Sequence, residues 1–307
     1  MSENESKGLI FDIERFGIHD GPGIRTVIFL KGCSLKCSWC HNPESQSRRP
    51  EILFSRQRCL QCDTCVKVCP VGAVRAMGDN NRKKIDYTRC TSCGLCVEGC
   101  SANALTLAGK YYTVNEIIAE AEKSRAFYRR SEGGITISGG EPLCQAEFVL
   151  NLLRECRGLG IHTTLDTTGF LAWRRLERIT EYVDLLLYDL KHMDPATHRT
   201  YTGVDNKLIL DNIKRIDSLN IPIIFRVPVI PGYTDGADNI NSSARFGSSI
   251  RNLERVDLLP YNPMSEAKYS RLQRRYPLRN LKPPSDDEME KIKRIFESFG
   301  LRTQIGG

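Results

Sequence analysis

TVIFLKGCSLKCSWCHNPES (26–45) joins a run of β-branched and apolar residues to a loop in which Cys33, Cys37 and Cys40 stand in a C-x3-C-x2-C spacing. The run reads as a strand, because Thr, Val, Ile and Phe suit a pleated, half-buried surface. Chemistry-bearing residues just beyond the C-terminal end of a strand are characteristic of parallel α/β architectures, where helix N-termini and loose backbone converge. The pattern recurs along the chain: ITISGG (135–140) leads into GGEP, HTTLDTTG (162–169) into DTTGF, and LLLYDLKH (185–192) ends on DLKH. IIFRVPVIPG (223–232) and VDLLPY (256–261) complete six strand candidates. Between them fall the amphipathic segments 114–130, 146–160 and 206–220, which read as helices. Six such units predict an α/β fold, a partial (β/α)6 TIM-like barrel and not the complete eight-unit form. Four strands then aim polar groups at one mouth.

The composition, 40% hydrophobic and 26% charged over 307 residues, is that of a globular chain with room for a large core. The start, MSENESKG (1–8), is polar, and no run of about 18 apolar residues exists to span a bilayer, so a cytoplasmic protein with no membrane partner is expected. Thirteen cysteines in tight short-range sets point to metal ligation rather than disulfides. A net charge of +7 is spread over helical faces without interleaved aromatics, and no nucleic-acid partner is expected from it.

CLQCDTCVKVCP (59–70) and CTSCGLCVEGC (90–100) each contain a C-x2-C-x2-C-x3-C run. In bacterial two-cluster ferredoxins with this spacing, the fourth cysteine of each run ligates the other cluster. Cys59, Cys62, Cys65 and Cys100 are therefore assigned to one 4Fe-4S cluster, and Cys90, Cys93, Cys96 and Cys69 to a second. A pair of zinc sites is the alternative, although four-cysteine zinc modules space their cysteine pairs well apart. The second run has Ser101 where the first has Pro70. The chain thus divides into 1–54, the first part of the barrel with the three-cysteine loop, 55–108, a ferredoxin-like insertion, and 109–307, the remainder of the barrel.

Three thiolates can hold three irons of a 4Fe-4S cube and leave the fourth open to an outside ligand. The alternatives for Cys33, Cys37 and Cys40 are a zinc with a distant fourth ligand such as His41, or a redox pair at Cys37 and Cys40 that leaves Cys33 idle. Cys156, in a helical segment, reads as a buried small hydrophobe, and Cys144 as a non-ligand.

C-x3-C-x2-C with Trp39 before its last cysteine resembles the radical S-adenosylmethionine (SAM) enzymes. HDGPGIRT (19–26), FLKGCSLKCSWCHNPES (29–45), GGITISGGEPL (133–143), LDTTGF (165–170), LYDLKHMD (187–194), YTG (201–203), RVPVIPG (226–232) and LLPY (258–261) narrow the resemblance to the glycyl-radical enzyme activating enzymes. The resemblance implies that SAM binds the open iron, and that its reductive cleavage gives a 5'-deoxyadenosyl radical that takes hydrogen from one glycine of a partner enzyme. It implies cluster ligands at Cys33, Cys37 and Cys40 and cofactor contacts at Trp39, His41, Gly139, Gly140, Glu141, Leu190 and Asn262, with Arg226 a further candidate for the anionic end of SAM or for the partner's loop. Lys191 is implied to neutralise the SAM carboxylate. Asp166, Thr167 and Asp189 are implied SAM-site residues and ligands of a monovalent cation. Gly139 and Gly140, lacking a Cβ, would let backbone approach the methionine amino group. Asn262 stands where the family carries histidine. Three clusters, an electron donor such as flavodoxin or ferredoxin, and a monomeric state complete the expectation. A radical SAM enzyme acting on a small molecule or RNA, and a ferredoxin-type electron carrier, are the competing functions.

Overall fold

The computed structural model describes residues 6–77 and 82–307; residues 1–5, with most of the polar start, and residues 78–81 of the insertion lie outside the described residues. β1 (Lys7–Gly17) and β2 (Arg25–Leu30) open the chain, followed by the three-cysteine loop and β3 (Glu51–Phe54). Next come α1 (Thr64–Lys67), β4 (Val74–Met77), β5 (Arg82–Ile85), α2 (Leu95–Glu98) and β6 (Leu105–Ala108). The chain then forms β7 (Lys110–Thr113), α3 (Val114–Glu122), α4 (Arg125–Ser131), β8 (Gly134–Gly139), α5 (Ala146–Gly158) and β9 (His162–Thr167). It continues through α6 (Trp173–Thr180), β10 (Leu185–Asp189), α7 (Pro195–Thr202), α8 (Lys207–Ile216), β11 (Ile223–Val229) and α9 (Ala237–Gly247). β12 (Leu253–Pro260), α10 (Ser265–Arg271), α11 (Asp286–Ser298) and β13 (Thr303–Ile305) close it.

Among the described residues, nine strands form one sheet in the order β13-β12-β11-β10-β9-β8-β2-β1-β7. From β13 to β2 every neighbouring pair is parallel, whereas β1 pairs antiparallel with both β2 and β7. All six expected strands are present, and the order ends on two different strands, so the sheet stays open. Its central strands are fully buried at Ile135, Ile137, Leu165, Leu186, Phe225 and Val227, the continuous apolar run a parallel strand needs when both faces are covered. Val149 and Leu152 of α5, Ile213 of α8, Ile240 of α9 and Phe296 of α11 pack on the outer face. Each such side chain contributes roughly 1.5–3 kcal/mol of burial. Cys156 lies in this core, fully buried.

Two features differ from the sequence reading. The segment 114–130 is two helices, α3 and α4, broken around Ser124, whose backbone adopts φ −102°, ψ 5°. The break aims Tyr128 inward, where its hydroxyl meets Thr26 Oγ1 at 2.5 Å. β1, β7 and β13 were not anticipated: β13 is three residues long, too short for a period to register, and the second half of β1 is exposed at Glu14, Arg15 and Phe16.

The insertion is bracketed by the antiparallel pair β3–β6, from Glu51 opposite Ala108 to Phe54 opposite Leu105. Its small core is Ile52, Phe54, Cys65, Val74, Ile85, Cys96, Ala104 and Leu105. Across the joint, Gln273 Oε1 accepts from Ile85 N at 3.0 Å, and Arg271 donates to Thr106 Oγ1 at 2.9 Å. No helix among the described residues is long and apolar enough to cross a membrane.

Candidate active site

The loop after β2 is pinned from three sides. Gly32 N donates to Ser45 O at 2.6 Å and Cys33 N to Gln46 O at 3.2 Å, closing the loop on itself. Lys36 N and Ser38 N donate to the carbonyls of Thr202 and Tyr201 at 2.7 and 2.9 Å, so the YTG stretch holds its middle. Lys31, fully buried, gives its ammonium to Glu51 at 2.9 Å and to the Glu44 carbonyl, and Arg274 reaches Glu51 at 2.5 Å. Trp39 packs edge-on to Tyr201 and Tyr233 in an apolar cluster with Ile230, Tyr261, Tyr269 and Tyr276. Of the three cysteines, Cys37 packs against this cluster, and all three stay partly exposed.

Cys33, Cys37 and Cys40 face one cavity of about 360 Å3. Burial pushes the Cys37 thiol up to about 12, against the pull of Lys191, and moves Cys33 and Cys40 the same way. Such thiols stay protonated in a bare protein, and ligation to a metal deprotonates them outright. Among the described residues no three His, Cys, Asp or Glu side chains converge as one metal ion requires.

The opposite walls come from the strand ends. Gly139 ends β8 and Gly140 follows it, Asp166 is the last residue but one of β9, Asp189 ends β10 with Lys191 just beyond, Arg226 sits on β11 and Asn262 follows β12; all line the same cavity, as do Trp39 and, at the exposed rim, His41. Lys191 pairs with Asp189 at 2.8 Å. Burial disfavours its ammonium, but Asp189 and the Cys37 sulfur outweigh burial and hold its pKa above the ordinary lysine value. Arg226 bridges Asp20 at 3.1 Å and Asp166 at 3.2 Å. Burial raises the Asp166 carboxyl to about 6, with Arg226 opposing it, and Ser138 donates to its Oδ2 at 2.7 Å. Asp166 Oδ1 is buried with no hydrogen-bond partner among the described residues. Asn262 Oδ1 accepts from Met264 N at 3.0 Å.

Glu141, Thr167 and Leu190 stand behind this wall. Glu141, 1% exposed, accepts from Thr167 Oγ1 at 2.5 Å, from Thr168 N and Oγ1 at 2.9 and 2.5 Å, and from Leu143 N at 3.1 Å. It ties the GGEP turn to the DTT turn. Leu190 is buried in the main core. The glycines also have a reason beyond cofactor approach. A Cβ on Gly139, whose φ is +123°, would lie 2.3 Å from Leu30 N, and one on Gly140 would lie 2.4 Å from Gly32 O. Both residues let β8 close on the backbone that starts the cysteine loop.

Asp20, Ser138 and Thr168 line the cavity without having been singled out. Asp20 arrives through HDGPGIRT, which folds against β8. Arg25, fully buried, donates to Thr136 Oγ1 and Ile135 O, each at 2.6 Å, and Thr136 donates to Asp20 O at 2.6 Å. The motif was legible as a resemblance, but its contact with Arg226 joins residues about 200 positions apart.

In the insertion, one cavity gathers Cys59, Cys62, Cys65 and Cys100, and not Cys69. Cys96 lies within electrostatic reach of Cys90, Cys65, Cys93 and Cys69. Cys100 thus shares a cavity with the first three cysteines of the other run. The two runs are built alike: Ala73 N donates to Cys69 Sγ and Ala104 N to Cys100 Sγ, both at 3.2 Å. Cys144 lies by Arg48, 3.8 Å from its Nη2, outside every ligand set above.

A sheet of parallel strands whose C-terminal ends meet a three-cysteine loop places the chain in the radical SAM superfamily, whose profile matches residues 89–240. Profiles of a 4Fe-4S single cluster domain and a 4Fe-4S dicluster domain match residues 19–67 and 51–101. The chain is 39% identical to the trans-4-hydroxy-L-proline dehydratase activating enzyme of Clostridioides difficile, covering 97% of this chain and 99% of that one. It is 42% identical to the isethionate sulfite-lyase activating enzyme of Oleidesulfovibrio alaskensis, over 91% of each. Streptococcus suis SuiB, solved with its precursor peptide SuiA, shares the fold alone, at a TM-score of 0.52 and 14% identity over 92% of this chain and 48% of that one. The chain belongs to the radical SAM activating enzymes of glycyl-radical enzymes.

Proposed function

We propose that the chain activates its glycyl-radical partner with a 4Fe-4S cluster held by Cys33, Cys37 and Cys40 and SAM seated in the cavity they face. The observation that carries this reading is that those three cysteines, Lys191, Arg226 and the Gly139–Gly140 turn all line one cavity. When bound and reduced by one electron, cluster and SAM supply methionine and the 5'-deoxyadenosyl radical that removes hydrogen from a glycine of the partner. The chain's own residues bind, orient and shield. Lys191, with its ammonium fixed by Asp189, meets the SAM carboxylate. The Gly139–Gly140 backbone and His41 border the methionine end, and Asn262 takes the place of the family's histidine through its amide. Trp39 and the tyrosines around it keep water and stray hydrogen donors away. Glu141, Thr167 and Leu190 position the wall.

The finer parts of the reading are three clusters in all, the division at 54 and 108, a partial (β/α)6 barrel carrying a ferredoxin-like insertion, and a monovalent cation. The cavity that Cys100 shares with Cys59, Cys62 and Cys65 supports the two extra clusters. The orphan Asp166 Oδ1 supports a cation there, beside the positive charge already brought by Lys191 and Arg226; the Thr167 hydroxyl is turned to Glu141 instead.

Lys191→Met is expected to raise the SAM concentration for half-maximal 5'-deoxyadenosine formation at least about tenfold, roughly 1.4 kcal/mol of binding. Unchanged half-saturation would remove Lys191 from the SAM site. The relatives' names point to different partners, so the partner is found by testing candidate glycyl-radical enzymes for a glycyl signal in electron paramagnetic resonance.

A further inference from the structure

A further cavity, of about 510 Å3, opens between the insertion and α10. Arg56, Lys83, Lys84 and Arg271 line it with Phe54 and Gln273, and no carboxylate does among the described residues. Phe54 and Lys83 also line the cavity of Cys59, Cys62, Cys65 and Cys100, so one side chain's thickness separates groove from ligand set. Lys83 is tied to Asp63. Arg56 and Lys84 are exposed, and Arg271 Nε is buried without a hydrogen-bond partner among the described residues. Beside this ligand set, Leu60 is 72% exposed and Cys62 is exposed. The positive excess belongs to the insertion: residues 55–108 hold eight Lys and Arg against four Asp and Glu, four of the chain's seven net charges.

We propose that this groove docks a small acidic electron-transfer protein, which reduces the cluster on Cys59, Cys62, Cys65 and Cys100. The inference rests on that ligand set being a 4Fe-4S cluster. One electron leaves the donor's reduced flavin or iron-sulfur centre, which is oxidised by one electron, and the cluster passes from its 2+ to its 1+ state. A cluster on four thiolates is anionic and repels an acidic donor unless cations stand between them. Arg56, Lys84 and Arg271 stand there. Charge of this kind sets encounter rate and orientation, with a steep dependence on salt.

The test uses the holoenzyme, with its iron content measured, and an acidic flavodoxin in the hydroquinone state. Arg56→Glu combined with Lys84→Glu is expected to weaken flavodoxin binding at least about tenfold at low salt and to flatten its salt dependence. Reduction by flavodoxin slows in proportion, while reduction by dithionite is unchanged. Arg174→Glu with Arg175→Glu, exposed on α6, makes the same net charge change and is expected to shift binding less than about twofold. Equal weakening by both pairs, or none by the first, overturns the docking site. Iron near four per chain instead of about twelve would mark failure of the cluster reading itself.

Discussion

Cys37→Ala is expected to abolish SAM cleavage, a loss on the order of 1000-fold or more, equivalent to about 4 kcal/mol of transition-state stabilisation. On the proposed ligand sets, in which the insertion's clusters draw on other cysteines, the same change is expected to lower the iron content from about twelve to about eight per chain. Specificity comes from packing. Cys37 sits between Lys191 and the Trp39 shell, whereas Cys65 and Cys96 belong to the separate core of the insertion. Cys62→Ala and Cys93→Ala reverse the pattern: each is expected to cost iron from the insertion and leave a SAM-responsive centre. A Cys37→Ala protein that kept about twelve irons, or that still formed 5'-deoxyadenosine, would contradict the ligand assignment.

Arg226→Ala is expected to give the largest loss of stability. Arg226 serves Asp20, Asp166 and the His19 carbonyl, the last at 2.5 Å, and its removal leaves Asp166 buried with Ser138 as its remaining partner. Breaking a buried pair by deleting one partner costs about 3–5 kcal/mol. The cost depends on pH. The Asp166 carboxyl already rises from 3.8 to about 6 by burial, even with Arg226 opposing. A folded value above the unfolded one contributes stability that is complete below pH 3.8 and is lost as pH rises through about 6. Without Arg226 the folded value climbs further, so ionisation costs more and the loss extends to higher pH. The gap in thermal midpoint between wild type and variant is therefore expected to be smaller near pH 5, where the Asp20 and His19 contacts are still lost, and to widen toward pH 8. An equal gap at both pH values would show that Arg226 acts by packing alone.

What could be read in the chain follows from how local each signal is. Cys33, Cys37 and Cys40 lie within eight residues, and the two insertion runs repeat one spacing, so both were visible without a structure. The six parallel strands were visible because each is a short apolar run between helical periods. The carboxylate network was not: Asp20, Asp166 and Arg226 meet only when the loop before β2 folds against β8, a placement set by buried Arg25. Glu141 and Thr167 stood out in motifs, yet the structure turns them toward each other, where they fix the wall. For Gly139 and Gly140 the motif was visible, but the obstacle to a side chain is the Leu30 and Gly32 backbone, which no local pattern reveals.

The central claim is an iron corner left open by three cysteines and filled by SAM. Electron-nuclear double resonance on the reduced protein, with SAM carrying a 13C-labelled carboxylate, tests it most directly. The account predicts a hyperfine coupling from the label to one 4Fe-4S centre, retained in Cys62→Ala and Cys93→Ala and absent in Cys37→Ala. No coupling in fully reconstituted wild-type protein, or a coupling that vanishes with the insertion's cysteines instead, would contradict it.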